Sequence, residues 1–477
     1  MLRRGMVPGK RLARAARFGY TDRMSCTVTV KPGHLPPFWD RNAVFVANLL
    51  SLFYGNEGET ERLREEVGQI ETYGGRLLPI IDLLFRGANR NLLILESEPD
   101  PLLLEYFDEA CNLSIPDRHI LPHPAYMEAQ HALEQGKAPD HSAIASIAGH
   151  GASWMDGFVA DRALRLLAEH TGKRLVTGEA GSKRGNNKLE LHRFLEASGY
   201  PTFDTRVAAD PAEALAALAT LQPLGYTRAV IKSQIGASGI GMLQLDIRTA
   251  REQDIPDYLF FEGPCMVQGW LDDTAGAIHR MGSPSVQIFV NEEKAWLYDL
   301  TEQILSASSV HEGNLAPPPY LQNDDALREQ IFAQAADAAT WLHDQAYRGT
   351  ASADFLIAQV EGDTRVILCE INARVTGATY PAILARHLCP GDAWLLRNLR
   401  FQSGVPSRTI LSQLERHGLL FRAGAAKGLL PINLNRDRDG HIVKGQFLCL
   451  AAETEDCMEM ILATKEILPV QWAYDRD

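Results

Sequence analysis

Short apolar runs alternate with helix-length segments along the first part of the chain. Residues 42–52 (NAVFVANLLSL) are apolar with β-branched residues near their start. Residues 54–60 (YGNEGET) are turn-rich, and a charged helical segment follows. Residues 91–96 (NLLILE) read as a short buried strand, and 99–108 resume a helical pattern. Strand, helix, strand, helix predicts a parallel α/β layer, because parallel strands need crossover helices between them. Residues 149–156 (GHGASWMD) read as a loop, 158–170 as a helix and 175–177 as a short strand, which closes a first domain at 38–180.

The pattern then changes. A polar, glycine-bearing stretch at 182–187 leads into an amphipathic helix over 188–198, with Leu189, His192 and Leu195 on one side and Gly199 as its stop signal. An alanine-rich helix spans 211–221. Residues 228–233 (RAVIKS) predict a strand that ends in a glycine-rich loop, 236–241 (GASGIG), with a returning strand at 242–246. Residues 265–271 (CMVQGWL) read as a strand entering a loop, 286–290 and 295–300 as paired strands, and 327–345 as a long helix. Strands at 354–359 and 365–372 flank Glu361-Gly362-Asp363, a turn-type sequence, and predict a hairpin. A final α+β segment runs from 405 to 477, and there is no internal repeat.

Composition narrows the class. With 477 residues, 45% apolar and 22% charged, the chain reads as folded globular protein rather than disordered. Its 47 basic and 60 acidic residues leave a formal charge of −13, which argues against nucleic acid as the partner. The seven cysteines include no CxxC pair, so neither a disulfide framework nor a zinc site is expected, and a reducing cytoplasm fits. No run of about 18 apolar residues is present, so no transmembrane helix is expected. Residues 1–23 hold seven basic residues and one acid, Asp22, and the segment 1–37 is expected to be a disordered basic tail.

Three clusters carry candidate chemistry. Lys232 ends a strand just before small residues, and glycines there let backbone N–H groups approach a polyphosphate while the lysine supplies a point charge. The order is neither a P-loop nor a dinucleotide fingerprint, since no helix follows the glycines. Glu370 and Asn372 lie two apart on one strand and so share a face; with Asp354 opposite, three oxygen-bearing side chains would converge and suit Mg²⁺. The strand through Gln268, Gly269, Trp270 and Leu271 could offer a backbone edge to a planar base.

Taken together, residues 180–390 resemble the ATP-grasp superfamily. NNKLELHRFLEASGYPT is similar to its first lysine followed by a helix, AVIKSQIGASGIGM to its second lysine and glycine-rich loop, VQGWL to its adenine linker, and ADF…CEINAR to its magnesium signature. The region before it, with its YGNEG turn, resembles a pre-ATP-grasp domain, and that region with Thr301-Glu302-Gln303 resembles the pheganomycin-type peptide ligases.

The resemblance implies a Rossmann-like α/β pre-ATP-grasp domain, a lid lobe at 181–272, a larger lobe with the metal site at 273–404, and a small α+β extension at 405–477. It implies that Lys188 and Lys232 contact ATP phosphates under a lid of Gly236, Ser238, Gly239 and Gly241. Gln268 would face the adenine amino group, with backbone contacts from Gly269, Trp270 and Leu271. Asp354, Glu370 and Asn372 would hold one or two Mg²⁺ or Mn²⁺ ions, and Arg374 would meet the γ-phosphate or the substrate carboxylate. Asp272 and Asp273 are candidates for the ribose. Ser352 stands where many members of the superfamily carry arginine, with Arg374 or Arg280 as its substitute. Glu302 or His311 could receive the proton from an amine.

The implied activity is an ATP-dependent carboxylate–amine ligase that forms an amide or peptide bond through an acyl phosphate and releases ADP and phosphate. Small acids and amines are the implied partners, with no nucleic acid and no membrane, and a homodimer is left open. A kinase or bicarbonate-using carboxylase on the same fold, or a non-catalytic nucleotide-binding protein, are the alternatives.

Overall fold

The computed structural model describes residues 26–67, 73–271, 278–306, 310–360 and 362–472. The expected tail is structured from its 27th residue. Strand β1 (Thr27–Val30) pairs in parallel with a later strand through Thr27↔Lys294 to Val30↔Leu297. The alternating TVTV sequence suits a strand edge, which corrects the expectation of disorder for that stretch; residues 1–25 lie outside the described residues.

A five-stranded parallel sheet follows: β2 (Ala43–Val46), β3 (Leu92–Leu95), β4 (Asp117–Ile120), β5 (Trp154–Gly157) and β6 (Arg174–Leu175), in the order β4-β3-β2-β5-β6. Both faces are covered. Val44 and Val46 pack one way with Leu164 and Leu167 of the helix Arg162–His170, and Phe45 packs the other way with Leu93 and Leu95. Residues 149–156, read from sequence as a loop, run into β5, the strand beside β2. Glycine and serine masked a strand that has only Trp154 and Met155 as large side chains. The order reverses between β2 and β5, and in such sheets ligands bind outside the carboxyl ends of the strands at that point.

The second sheet has four antiparallel strands, β7 (Thr205–Ala208), β8 (Arg228–Ala237), β9 (Ile240–Asp246) and β10 (Cys265–Gly269), in the order β7-β10-β8-β9. The helix Pro211–Leu221 covers it, with Ala214, Leu218 and Leu221 packed near Ile231 and Val267. This helix starts cleanly because the Asp210 side chain accepts from Glu213 N at 2.8 Å and proline follows.

The third sheet has eleven strands. Its main path uses β11 (Ile278–Gly282), β12 (Pro284–Val290), β13 (Lys294–Leu305), β14 (His311–Ala316), β15 (Gly349–Val360), β17 (Ala393–Val405), β18 (Gly428–Arg436) and β19 (Ile442–Ala451), in the order β11-β15-β12-β13-β14-β17-β19-β18. β16 (Asp363–Asn372) joins β15, β20 (Val470–Trp472) joins β17, and β1 joins β13. The expected boundary at 405 is the last residue of β17, and β18 to β20 extend the same sheet rather than building a separate module. Their residues, including the consecutive run Phe447 to Ala451, complete one apolar core that also holds Phe45 and Phe158. A buried ion pair fixes the middle of this sheet. Arg386 meets Asp299 through two bonds of 2.8 and 2.9 Å, and Trp394 Nε1 donates to the same carboxylate at 3.0 Å.

Candidate active site

A cavity of about 360 Å³ lies where the three sheets meet. Leu49, Leu52 and Phe158, which follow β2 and β5, line it, so it opens at the reversal point of the parallel sheet. Val230, Lys232, Met242 and residues 268–271 supply the lid side, and Asp354, Glu370, Asn372 and Arg374 the opposite side.

Lys188 ties the two sides together. It is the first residue of the helix Lys188–Ala197, whose N-cap Asn187 accepts from Leu189 N and Glu190 N at 3.0 Å each. Its Nζ lies 3.0 Å from Glu370 Oε2 and donates to Gly236 O at 3.1 Å, and only 6% of the residue is exposed. Lys232 sits mid-strand on β8 between Met266 and Met242, 5.5 Å over the Phe203 ring. Burial pushes its ammonium below the ordinary lysine value, partly offset by Cys369 and Glu370.

The glycine-rich stretch is tighter than a loop. β8 and β9 continue to Ala237↔Ile240, which leaves only Ser238 and Gly239 at the tip, with φ of 53° and 83°. Two positive φ values match the hairpin turn that twists with its strands. Gly241 also has positive φ, 78°, and a Cβ there would fall 2.3 Å from Ser233 Oγ and 2.8 Å from Glu59 Oε1.

Across the cavity, β15 and β16 pair Asp354 with Glu370 and Ser352 with Asn372. A bulge after Asp354 resets the register there. Asp354 accepts from Ser285 Oγ at 2.6 Å and from Asn372 Nδ2 at 2.8 Å, and Asn372 Nδ2 reaches Glu370 Oε1 at 3.3 Å. Burial alone would raise Glu370, but Lys188, Arg374 and Lys232 outweigh it and hold the carboxyl down at about 2. Burial, with repulsion from Glu370, pushes Asp354 up to about 7. Asp354 and Glu370 are the hard oxygen donors here that suit a magnesium ion retaining waters and phosphate oxygens; Asn372 turns its amide nitrogen to them and its oxygen to Arg374, and would join the set only with its amide reversed. Among the described residues, no group of three or more His, Cys, Asp and Glu side chains gathers as a metal site. Arg374 is buried behind this set, bonded to Asn186 Oδ1 and Asn372 Oδ1 and 3.5 Å from Gly236 O.

Other sequence candidates fall differently. Gln268 is buried and donates to Thr205 Oγ1 at 3.0 Å. The N–H groups of Gly269 and Trp270 already donate to Asp204 O and Arg228 O at 3.1 Å each, so a base-edge contact from either would use its carbonyl. A Cβ on Gly269 would meet the Tyr226 ring at 2.4 Å, which explains a glycine at that position. Asp272 and Asp273 lie outside the described residues, and Arg280 is described only by its place in β11. The Glu302 carboxylate accepts from Ser283 N and Tyr320 OH at 2.7 Å each and does not line the cavity, while its neighbour Gln303 does. Neighbouring residues of a strand face opposite ways, which separates the two. His311 does line the cavity, its Nε2 2.6 Å from Asn314 Oδ1, and burial lowers its pKa.

Two acids were not singled out from the sequence. Glu59, on the helix Glu57–Val67, is fully buried, and neither of its oxygens nor those of Glu262 has a hydrogen-bond partner in the structure. Burial pushes Glu59 up to about 8 and Glu262 up to about 7, each raised mainly by desolvation. Glu59 lies in the turn-rich YGNEGET segment, where an acid at a helix start reads as a capping residue. No sequence signal marks it as buried beneath the glycine-rich hairpin.

The fold has known relatives. No family model matches the sequence. A ligase of Niallia circulans, "[Butirosin acyl-carrier protein]--L-glutamate ligase", is 25% identical over 230 residues, 46% of this chain and 51% of that protein. The chain thus spans about half the length of the curated relative it matches. The ADP complex of purK, N5-carboxyaminoimidazole ribonucleotide synthetase, superposes with a TM-score of 0.54 at 13% identity, covering 90% of this chain and 97% of that one. Biotin carboxylase from Campylobacter jejuni gives 0.54 at 12%, covering 91% and 92%. The N5-carboxyaminoimidazole ribonucleotide synthetase of Thermus thermophilus gives 0.51 at 13%, covering 91% and 100%. The finer resemblance to pheganomycin-type ligases is not carried by these relatives. Three sheets in this order, a glycine hairpin over a paired-acid hairpin, and these structural relatives together make the chain a protein of the ATP-grasp fold.

Proposed function

We propose that this protein is an ATP-dependent carboxylate–amine ligase that forms an amide bond through an acyl phosphate and releases ADP and phosphate. The observation that carries the reading is Lys188. One ammonium reaches both the backbone of the glycine hairpin and Glu370, so lid and acid pair meet at a single cation. A triphosphate bound there would place its charge against Lys188 and Lys232, beneath Gly236, Ser238, Gly239 and Gly241. Gln268, with Gly269, Trp270 and Leu271, is the candidate face for the base. Arg374, on the cavity wall, is the candidate to meet the transferred phosphoryl group or the substrate carboxylate.

Asp354, Glu370 and Asn372 are the residues that would hold Mg²⁺, or Mn²⁺ in its place. Such an ion would neutralise charge on the phosphoryl oxygens during transfer. The protein's own task is positioning and electrostatics: Lys188, Lys232 and Arg374, all buried, would stabilise the spreading negative charge without reorganisation. No covalent nucleophile is required. The amine's proton has no assigned acceptor once Glu302 is set aside; His311, kept neutral by its surroundings, is the remaining candidate. The curated relative is named for L-glutamate and an acyl-carrier protein, which supports an amino acid as one substrate and a role in secondary-metabolite assembly. ATP use and seven free thiols support a cytoplasmic setting, and among the described residues no helix is long and apolar enough to cross a membrane.

Release of ADP and phosphate that requires Mg²⁺, an acid and an amine together tests the reading. AMP and pyrophosphate as products, or bicarbonate-dependent turnover without an amine, would overturn it. Mg-ATP binding with no turnover on any acid–amine pair would instead favour a non-catalytic nucleotide-binding protein.

A further inference from the structure

The glycine hairpin is held from behind by the N-terminal region. The helix Glu57–Val67 packs on β9 and on the segment Asp257–Phe260, which precedes β10. Asn56 fastens that contact: buried, it donates from Nδ2 to Tyr258 O at 3.0 Å, and its Oδ1 accepts from Glu59 N at 3.3 Å. A Cβ on Gly58 would fall 2.7 Å from Tyr258 Cβ, so the helix meets this segment too closely for a side chain there. Arg62 lies 4.9 Å over the Tyr258 ring. These residues belong to the YGNEG turn or follow it, and the nucleotide-site reading leaves that turn without a task.

Glu59 points from this helix into the base of the hairpin. It is fully buried, and a Cβ on Gly241 would fall 2.8 Å from its Oε1, so the carboxyl lies against hairpin backbone. Neither of its oxygens has a hydrogen-bond partner, and the same holds for Glu262, whose charge it feels. Ser233 faces Glu59, but its hydroxyl proton is used within the hairpin, toward Ile235 O or Gly241 O. The Ser233 oxygen is then an acceptor, and only a protonated carboxyl can donate to it. The other charged and titratable groups around the two acids are Arg62 on the same helix, Tyr258 beside it, Lys188, and Lys183 near Glu262. Lys188 already serves Glu370 and Gly236 O. An ionised Glu59 would therefore be a buried charge without a hydrogen bond, beside a second acid. Such a charge is relieved by taking a proton or by moving to water.

We infer that Glu59 is a positioning residue of the nucleotide site: with its proton it lets the glycine hairpin seat on the N-terminal helix, and without it the hairpin is driven off that seat. The effect travels through backbone. Gly241 lies beside Gly236, whose carbonyl is the one Lys188 holds, so lifting the hairpin withdraws the strand that Lys188 ties to Glu370. Glu59 does not line the cavity and acts only through the hairpin. The inference rests on the reading of the cavity as a nucleotide site. Its pH window lies between the ordinary carboxyl value of 4.5 and the folded value of about 8. Within that window each unit of pH costs the seated hairpin up to about tenfold, and above it no more.

The test is Mg-ADP binding to the full-length protein by calorimetry between about pH 6 and pH 8, for the wild type and for the neutral, isosteric Glu59→Gln. Asp354 and His311 on the cavity wall are the same in both proteins, so they cancel in the ratio of wild-type to variant Kd. That ratio is expected to rise about tenfold toward the higher pH. Amide exchange over residues 235–241 at the higher pH is expected to be faster in the wild type than in the variant. If Glu59→Gln does not fold, Glu59→Met carries the comparison, since it needs no hydrogen bond at this site. A constant ratio, or equal exchange in the two proteins, overturns the inference while Mg-ADP binding keeps the nucleotide reading intact. Failure of the wild type to bind Mg-ADP at any pH overturns the nucleotide reading, and the exchange comparison then decides the seating of the hairpin by itself.

Discussion

The two ends of the cavity are built by different rules. At the phosphate end, each cluster comes from contiguous sequence: β8 and β9 form one hairpin, β15 and β16 another, and Lys188 starts a helix. At the far end, Arg76, Tyr380, Asn398 and Gln446 come from four separate segments, joined by three hydrogen bonds of 2.8 to 3.0 Å. The first end is local and holds both acids; the second is assembled by packing and mixes Arg76 and Lys444 with neutral polar groups. Two hairpins and a packed wall of distant segments thus face one cleft.

The sharpest way to break this division is at Lys188. Lys188→Met or Glu370→Gln is expected to lower ATP-dependent turnover about a hundredfold to a thousandfold, the scale of losing one preorganised electrostatic group. Steady-state ADP release measures it, and a loss confined to the KM of the second substrate would contradict the division.

Glu59 and Glu262 probe how the N-terminal helix and the lid are coupled. Glu59 faces Ser233, Glu262, Lys188 and Arg62, and its folded value of about 8 lies above the ordinary 4.5. A carboxyl raised in this sense stabilises the fold only while protonated. Stability therefore falls as pH rises past the unfolded value near 4.5 and levels off above about 8. Thermal melts at pH 5 and pH 8 should differ by on the order of a few kcal/mol, discounted for relaxation around the pair. Glu59→Gln, neutral throughout, should flatten that dependence; parallel curves for the two proteins would refute the assignment.

Tyr380→Phe sharpens the far end. It removes the hydroxyl that accepts from both Arg76 and Gln446, and should cost about 1–3 kcal/mol of stability. Denaturant melts of the two proteins measure it, and equal stabilities would show that these two hydrogen bonds add nothing net. The smallest effect is expected at Glu302. Glu302→Gln should leave kcat nearly unchanged and cost about 1 kcal/mol in a denaturant melt, since its carboxylate serves Ser283 and Tyr320. A large fall in kcat would return it to the catalytic groups.

Legibility followed the same line. The spacing of Asp354, Glu370 and Asn372 was readable because strand alternation is a local rule, and the register places Asp354 opposite Glu370. Glu302 and His311 had no such rule behind them, and the structure puts only His311 on the cavity wall. β5 was hidden because a central parallel strand needs only buried side chains, and GASWMD offers few that look like one. Residue 405 falls at the end of β17, and which sheet the strands after it join is a matter of pairing that no local pattern records.

By itself, the amino-acid order determined the elements, the two lysines, the glycine turn and the acid pair, because helix periodicity, strand alternation and turn preference act over a few residues. Only the tertiary structure decided that Lys188 would span lid and acid pair, that Glu59 would lie buried beneath the glycine hairpin, and that β19 would bring Lys444 and Gln446 to the same cleft as Arg76. Those outcomes depend on which faces pack together across hundreds of residues, and burial of apolar surface, being non-directional, leaves no mark of its partner in the local sequence.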